Sequence, residues 1–140
     1  MPLLSFVVFA AIMNTQPAPS PSLAGPEWRL VSLTSHQSDA IAGLKRPVNI
    51  VFRDDGHVAG SFGCNGFGGT YSIDGDRLVF GALAGTMMAC PQPAMSVENA
   101  IRKALTGSVP FALAGTRLTL TTASGATLVF EPRARRARAK

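Results

Sequence analysis

Short alternating apolar segments separated by glycine-containing turns constrain this chain more than any other feature. The segments 48–52 (VNIVF) and 57–62 (HVAGSF) flank Asp55-Gly56. Asp-Gly between two alternating runs is typical of a tight β-hairpin, because glycine accepts the positive φ that such turns require. The sequence therefore predicts a hairpin. Its inward-facing residues are Ile50, Phe52, Val58 and Phe62.

A second hairpin is predicted over the segments 70–73 (TYSI) and 77–80 (RLVF), which flank Asp74-Gly75. Side chains alternate between the two faces of a strand, so residues two apart share a face. The residues placed together on one face by this period are Tyr71, Ile73, Leu78 and Phe80.

The remaining segments extend the same pattern toward both ends of the domain. Segments 109–113, 117–122 and 127–131 are separated by Ala114-Gly115 and Ser124-Gly125, and an opening strand is predicted near 28–33. Segment 94–106 differs, because its apolar residues recur at helical spacing and Gly107 follows it. We therefore expect an α+β fold that is mainly antiparallel β. It would be a curled sheet or partial barrel of about seven or eight strands with one packed α-helix.

Glycines are concentrated in the middle of the chain. Eight of the 14 glycines lie between Gly56 and Gly81, and the run 63–69 reads GCNGFGG. Such density predicts close backbone approach or positive φ, since either excludes a Cβ. A phosphate-binding loop is not indicated, because no Gly-Lys-Ser/Thr follows the run.

The strings around the two cysteines resemble the META domain of the HslJ family. The matching residues are Trp28 and Leu30, then Gly63-Cys64-Asn65, Phe67, Gly69-Thr70-Tyr71, Leu78, Phe80-Gly81, Leu83-Ala84, Thr86, Met88-Ala89-Cys90-Pro91 and Glu98. The resemblance implies a compact β-rich fold with a helix, found in bacterial envelope proteins that include a heat-inducible one. It implies no established molecular activity. The position after Asn65, often Arg in similar sequences, is Gly66 here.

We predict structural roles for the motif residues within this resemblance. They are Trp28, Gly63, Asn65, Gly69, Tyr71, Phe80, Gly81 and Pro91. Cys64 and Cys90 are the two cysteines of the chain, and an even count in an exported protein favours a structural disulfide. Two alternatives remain open: a metal site recruiting both cysteines with His36 and His57, and a Cys64 nucleophile with His57 as base. The prediction is no metal, no cofactor and no catalytic residue.

The ends of the chain predict export and a basic tail. Residues 3–13 form an apolar run of signal-peptide length, and Ser22-Leu23-Ala24 offers small residues for cleavage after Ala24, with Ala18 as a second candidate site. We interpret residues 1–24 as a signal peptide or apolar leader with a Pro/Ser-rich linker. On the resemblance, we interpret residues 25–132 as a META domain, and we expect residues 133–140 to be a basic disordered tail.

The distribution of charge bears on partners. The net charge is +5, but five of the 13 Lys and Arg residues lie in the last eight positions, and the others equal the eight Asp and Glu residues in number. A neutral domain does not predict nucleic-acid binding, although the tail could touch anionic surfaces. No transmembrane span is predicted in the mature chain.

Three function hypotheses follow from these features. The first is a periplasmic or secreted envelope protein without catalysis, acting as a stress-related binding or structural module toward an unknown envelope protein or small molecule. The second is a carrier that holds a small apolar ligand, such as an antibiotic or lipid, in the mouth of the curled sheet. The third is a thiol or redox protein that uses Cys64 and Cys90.

Overall fold

The strands of this protein close into one antiparallel barrel. The computed structural model describes residues 22–133, so the predicted leader up to residue 21 and the predicted tail beyond residue 133 lie outside the described residues. The helices are α1 (Ser38–Ala42) and α2 (Ala94–Ala104). The strands are β1 (Glu27–Leu33), β2 (Val48–Phe52), β3 (His57–Phe62), β4 (Gly66–Asp74), β5 (Arg77–Phe80), β6 (Ala84–Gly85), β7 (Gly107–Ala114), β8 (Arg117–Thr121) and β9 (Thr127–Pro132).

The barrel follows the order of the chain, with one interruption. The nine-stranded sheet has the order β3-β2-β1-β9-β8-β7-β5-β4-β6, and an additional pairing between β3 and β4 closes it. Strand β6 pairs with β4 outside the closed ring, and α2 lies in the connection between β5 and β7. The predicted mainly antiparallel β fold with a packed helix is confirmed, and the partial barrel is in fact closed.

Both predicted Asp-Gly hairpins are present at the predicted positions. In the first, Val51 pairs with Ala59, and in the second Asp74 pairs with Arg77. Gly56 and Gly75 adopt φ values of 86° and 59°, the left-handed conformation that such turns require. The turn chemistry therefore sets the register of both hairpins.

Side chains from the described strands fill the barrel interior. Large residues with at most 1% of their surface exposed include Trp28, Ile50, Phe52, Phe62, Leu118, Leu128 and Phe130. Burying an apolar side chain of this size contributes about 1.5–3 kcal/mol, so this interior is the main source of stability.

Ile73 departs from the predicted pattern. It pairs with Leu78, so the two do share a face, yet Ile73 is 54% exposed while Leu78 is fully buried. Strand β3 begins at His57 opposite Thr70, so Ile73 projects past the end of that neighbour. Leu78 is covered because β7 pairs with it at Val109.

Helix α2 covers the end of the barrel at which β3 ends and β4 begins. The apolar residues that recur at helical spacing in segment 94–106 are buried, as expected of a packed helix. They are Val97, Ile101, Ala104 and Leu105, the last directly after the helix. Helix α1 was not predicted, because the segment 35–39 reads as a polar loop. This helix has five residues and buries Ile41. Neither helix described between residues 22 and 133 has the length and apolarity that a membrane crossing requires.

Candidate functional site

The connection from β5 to α2 runs along the edge of β4 toward the end of the barrel that α2 covers. We call residues 82–93 the strap. It contains β6, which pairs with β4 through Gly85 opposite Phe67. Near its end, the disulfide from Cys90 joins the strap to Cys64 in the turn between β3 and β4. The Cα atoms of the two cysteines are 6.0 Å apart, within the usual range for a disulfide. The strap is therefore fixed to the barrel at both places.

Asn65 provides a third attachment for the strap. Its side-chain amide nitrogen donates to the carbonyl oxygen of Met88 at 3.0 Å, and the backbone N–H of Met88 donates to Asn65 Oδ1 at 2.8 Å. The hydroxyl of Thr86 also donates to Asn65 Oδ1, at 2.8 Å. The Asn65 side chain thus pairs with the strap as the backbone of a neighbouring strand would.

Glu98 of α2 binds Asn65 from the side of the helix, and the two residues form a polar cluster with Arg102. Its carboxylate accepts the backbone N–H of Asn65 at 2.9 Å and the side-chain amide of Asn65 at 2.8 Å. Arg102 lies one turn later on the helix, with its Nε 3.5 Å from Glu98 Oε2. Its guanidinium also donates to the carbonyl oxygen of Thr86 at 3.2 Å. Asn65 and Glu98 are both almost completely buried. A buried charge needs such partners, so the cluster links strap, barrel and helix.

A surface groove of about 350 Å³ lies beside the disulfide. Its walls are the segment after α1, the turn between β3 and β4, and the end of the strap. The lining residues are Gly43, Leu44, Lys45, Arg46, Gly63, Cys64, Met88, Cys90, Pro91, Gln92, Pro93 and Ala94. Hydrophobic residues and the disulfide therefore form most of the groove, and two cationic side chains stand on one wall.

Two adjacent methionines of the strap are exposed. The exposed fraction is 85% for Met87 and 49% for Met88. Because the backbone of Met88 is held by Asn65, its side chain is presented at the edge of the groove from a fixed position. Exposed methionine side chains adapt their shape readily and are common at binding surfaces.

Five of the predicted motif residues and cysteines meet at the helix-covered end of the barrel. They are Gly63, Cys64, Asn65, Cys90 and Pro91. Gly63 has a φ of 102° in the turn after β3, and its N–H donates to Ser61 Oγ at 3.2 Å. The carbonyl oxygen of Pro91 accepts the N–H of Ala94 where α2 begins, at 3.1 Å.

The other five motif residues lie elsewhere in the barrel. Trp28 is fully buried, and its indole donates to the carbonyl oxygen of Leu23 at 2.9 Å. Tyr71 packs edge-on against Phe52 at 4.9 Å, and Phe80 also faces that ring. Two glycines permit close approach. A Cβ on Gly69 would meet Leu83, and one on Gly81 would overlap the hydroxyl of Thr70.

The residues of the metal and nucleophile alternatives make other contacts in the structure. Both cysteine sulfurs are bonded to each other, so neither is a free ligand or thiol. His57 is exposed at the start of β3, and its Nδ1 lies 3.0 Å from Asp55 Oδ1 in the preceding turn. His36 lies near α2 instead, with Nε2 3.1 Å from Ser96 Oγ. Among residues 22–133, no three His, Cys, Asp or Glu side chains are grouped to hold a metal ion.

Sequence reasoning missed the wall opposite the strap. Leu44, Lys45 and Arg46 line the groove, yet only the adjacent Lys-Arg pair before Pro47 marked them in the sequence. It also left Arg102 and the linking role of Glu98 unassigned. A charged residue next to the apolar stripe of α2 was the available signal for Glu98.

Comparison with known proteins supports the family and the fold. A family model described as the META domain matches residues 21–135. An NMR structure of a protein from Burkholderia xenovorans has a TM-score of 0.64 and 25% identity, covering 87% of this chain and 97% of that chain. A second NMR structure has a TM-score of 0.62 and 29% identity, covering 76% of this chain and 88% of that chain. No curated protein is similar enough to count as a match.

Proposed function

Because the chain belongs to the META domain family, we propose that it is an exported protein of the cell envelope that acts without catalysis, as a stress-related binding module. Its binding surface is the strap with the groove beside it. The observation that carries this proposal is the fixed presentation of two exposed methionines, Met87 and Met88.

The disulfide supports a location outside the reducing cytosol. Cys64 and Cys90 are bonded to each other across 26 positions of the chain. Disulfides persist in oxidising compartments such as the bacterial periplasm and are rare where thiol reductants are abundant. The apolar run at residues 3–13 fits the same placement.

The strap supports a binding role because its apolar side chains are exposed at a rigid site. Three independent attachments hold it: the disulfide, the Asn65 hydrogen bonds and the pairing of β6 with β4. A segment already fixed in the free protein loses little conformational entropy when a partner binds. Exposed methionines at such a site provide apolar contact area with little loss of backbone conformational entropy on binding.

The polar cluster supports a role without catalysis. The polar atoms of Asn65 are used by Met88, Thr86 and Glu98, and the carboxylate of Glu98 is used by Asn65 and Arg102. A group engaged in this way holds the structure together and has no donor or acceptor directed at a substrate. Cys64 and Cys90 are bonded to each other, so neither provides a free thiol.

The barrel interior argues against carriage of a ligand inside the sheet. Trp28, Phe52 and Phe130 are fully buried where an apolar ligand would have to lie. A packed interior favours binding on the outer surface, where the described groove is.

Photo-cross-linking from the strap tests the proposal. Benzoylphenylalanine replaces Met87 in one variant. In the control it replaces Ile73, an apolar residue that is 54% exposed near the other end of the barrel. Irradiation of intact cells should give adducts from position 87 that position 73 does not give, and Met88→Ser should reduce their yield. Equal adducts from both positions would overturn the proposed surface. Hydrolase or oxidoreductase turnover that disappears in Cys64→Ser would overturn the absence of catalysis.

A further inference from the structure

The groove beside the disulfide combines an apolar floor with charge of one sign. Leu44, Met88, Pro91 and Pro93 supply hydrocarbon surface, together with the disulfide. These residues come from three separate parts of the chain, and the disulfide and Asn65 hold two of those parts in place. The floor is therefore preformed, as in most small-molecule sites.

The charged wall consists of Lys45 and Arg46, which are consecutive and exposed. Among residues 22–133, neither forms an ion pair with a described carboxylate, and no Asp or Glu lines the groove. The nearby Glu98 is buried and bonded to Asn65 and Arg102. Ala94, the first residue of α2, also borders the groove, and the N-terminal end of a helix carries partial positive charge.

We propose that this groove binds a free anionic amphiphile with a single hydrocarbon chain and a carboxylate head. The chain lies along Leu44, Met88 and the prolines, and the carboxylate faces Lys45 and Arg46. The groove volume of about 350 Å³ is near the lower end of ligand sites. This size favours one hydrocarbon chain over a two-chain lipid. The inference rests on the proposed function, because it names the class of ligand for the same surface.

Charge complementarity decides among the possible occupants. A neutral apolar ligand would leave two cations beside it without a partner, and a cationic amphiphile would be repelled by both. A peptide strand would need free backbone donors and acceptors along the groove, whereas proline provides no N–H at Pro91 or Pro93. A fatty carboxylate matches both parts of the groove, because its hydrocarbon chain contacts the apolar floor and its head faces the charged wall.

Titration of the ¹⁵N-labelled protein with sodium dodecanoate, below its micelle concentration, tests the inference by NMR. Saturable shifts are expected at the amides of Gly43, Gly63 and Gln92, which border the groove. Dodecyltrimethylammonium, with the same chain length and the opposite charge, should bind at least about tenfold more weakly. Equal binding of both amphiphiles, or shifts confined to another surface, would overturn the inference.

A pair of charge-reversed variants provides the matched comparison. Lys45→Glu with Arg46→Glu should lower dodecanoate affinity at least about tenfold. Arg53→Glu with Arg77→Glu makes the same change in net charge at the turns of the opposite barrel end and should leave the affinity unchanged. Amide dispersion outside the altered sites reports that both variants are folded. Equal loss of affinity in the two variants would attribute binding to net charge and overturn the site.

Anionic vesicles and the cross-linking experiment separate the remaining outcomes. Binding to phosphatidylglycerol vesicles without binding of monomeric dodecanoate would identify a membrane surface as the occupant and contradict the inference. Adducts from position 87 in a protein that does not bind dodecanoate would support the proposed function and contradict only the proposed ligand class. Dodecanoate binding without such adducts would support the proposed ligand class and contradict the binding of a cellular partner at the strap.

Discussion

Asn65 donates two hydrogen bonds to the carboxylate of Glu98, one from its backbone at 2.9 Å and one from its side chain at 2.8 Å. The two residues are 33 positions apart, and both are almost completely buried. Through Asn65 the same cluster reaches the strap at Met88. A single polar pair therefore couples the helix, the turn after β3 and the candidate binding surface.

Glu98→Gln is expected to lower the free energy of unfolding by about 1–3 kcal/mol, because an amide offers donors where Asn65 and Arg102 also present donors. Urea denaturation measures this loss. The control is Glu131→Gln, which removes a partly exposed ion pair with Arg117. That change should cost less than about 1 kcal/mol. A loss in Glu98→Gln no larger than in the control would contradict a structural role for the buried pair.

Removal of the disulfide is expected to lower the free energy of unfolding by roughly 3–4 kcal/mol on the chain-entropy account, since the bond closes a loop across 26 positions. The variant is Cys64→Ser with Cys90→Ser, compared with wild type in urea with and without dithiothreitol. Reduction should destabilise the wild type and leave the double variant unchanged. Two alkylatable thiols in denatured protein recovered from its native compartment would show that the bond does not form there.

Local turn chemistry made the hairpins predictable. Asp-Gly at positions 55–56 and 74–75 specifies a tight turn without reference to any distant residue, and the strands on either side alternate regularly. Closure of the barrel was not predictable in the same way. It depends on the first strand, β1, pairing with the last, β9, and on β3 pairing with β4. Strand periodicity does not specify that strands as distant in sequence as β1 and β9 pair.

The candidate groove was predictable only in part. The cysteine strings located the disulfide, but Lys45 and Arg46 join the site through tertiary structure alone. Helix α1, which brings them there, has five residues with Ile41 as its buried member, so it carries almost no periodic signal. A helix this short is stabilised by its packing on the barrel and has little stability of its own.

Gly69→Ala is expected to destabilise the domain by about 1–3 kcal/mol, because a Cβ would lie 2.7 Å from the Leu83 side chain and 2.9 Å from the carbonyl oxygen of Ala82. The backbone of the strap occupies the space in question. Gly68→Ala, in the same strand, is the matched control, since its nearest neighbour would be 3.8 Å away at Val58. Thermal unfolding compares the two. Equal melting temperatures would refute the steric argument.

Tyr71, the one tyrosine of the chain, should ionise above its ordinary pKa of 10.0, because burial disfavours the phenolate and Asp54 and Asp55 repel it. A folded-state pKa raised above the unfolded value contributes stability that is present below the unfolded pKa. That stability is lost as pH rises through the folded pKa. Absorbance titration follows this single group. Asp54→Asn with Asp55→Asn should lower the pKa of Tyr71, and Asp74→Asn should not.

A chain that begins at Gly25 is expected to be less stable than one that begins at Ser22, although cleavage after Ala24 fits the small-residue pattern. The shorter chain lacks Leu23, which is buried and whose carbonyl oxygen accepts the indole N–H of Trp28 at 2.9 Å. Loss of the leucine side chain removes about 1.5–3 kcal/mol of burial, and the indole is left without its acceptor. We therefore expect the proposed export to leave Leu23 in the mature chain. Intact mass measurement of the exported protein determines its first residue, and equal melting temperatures for the two chains would remove the physical reason for this expectation.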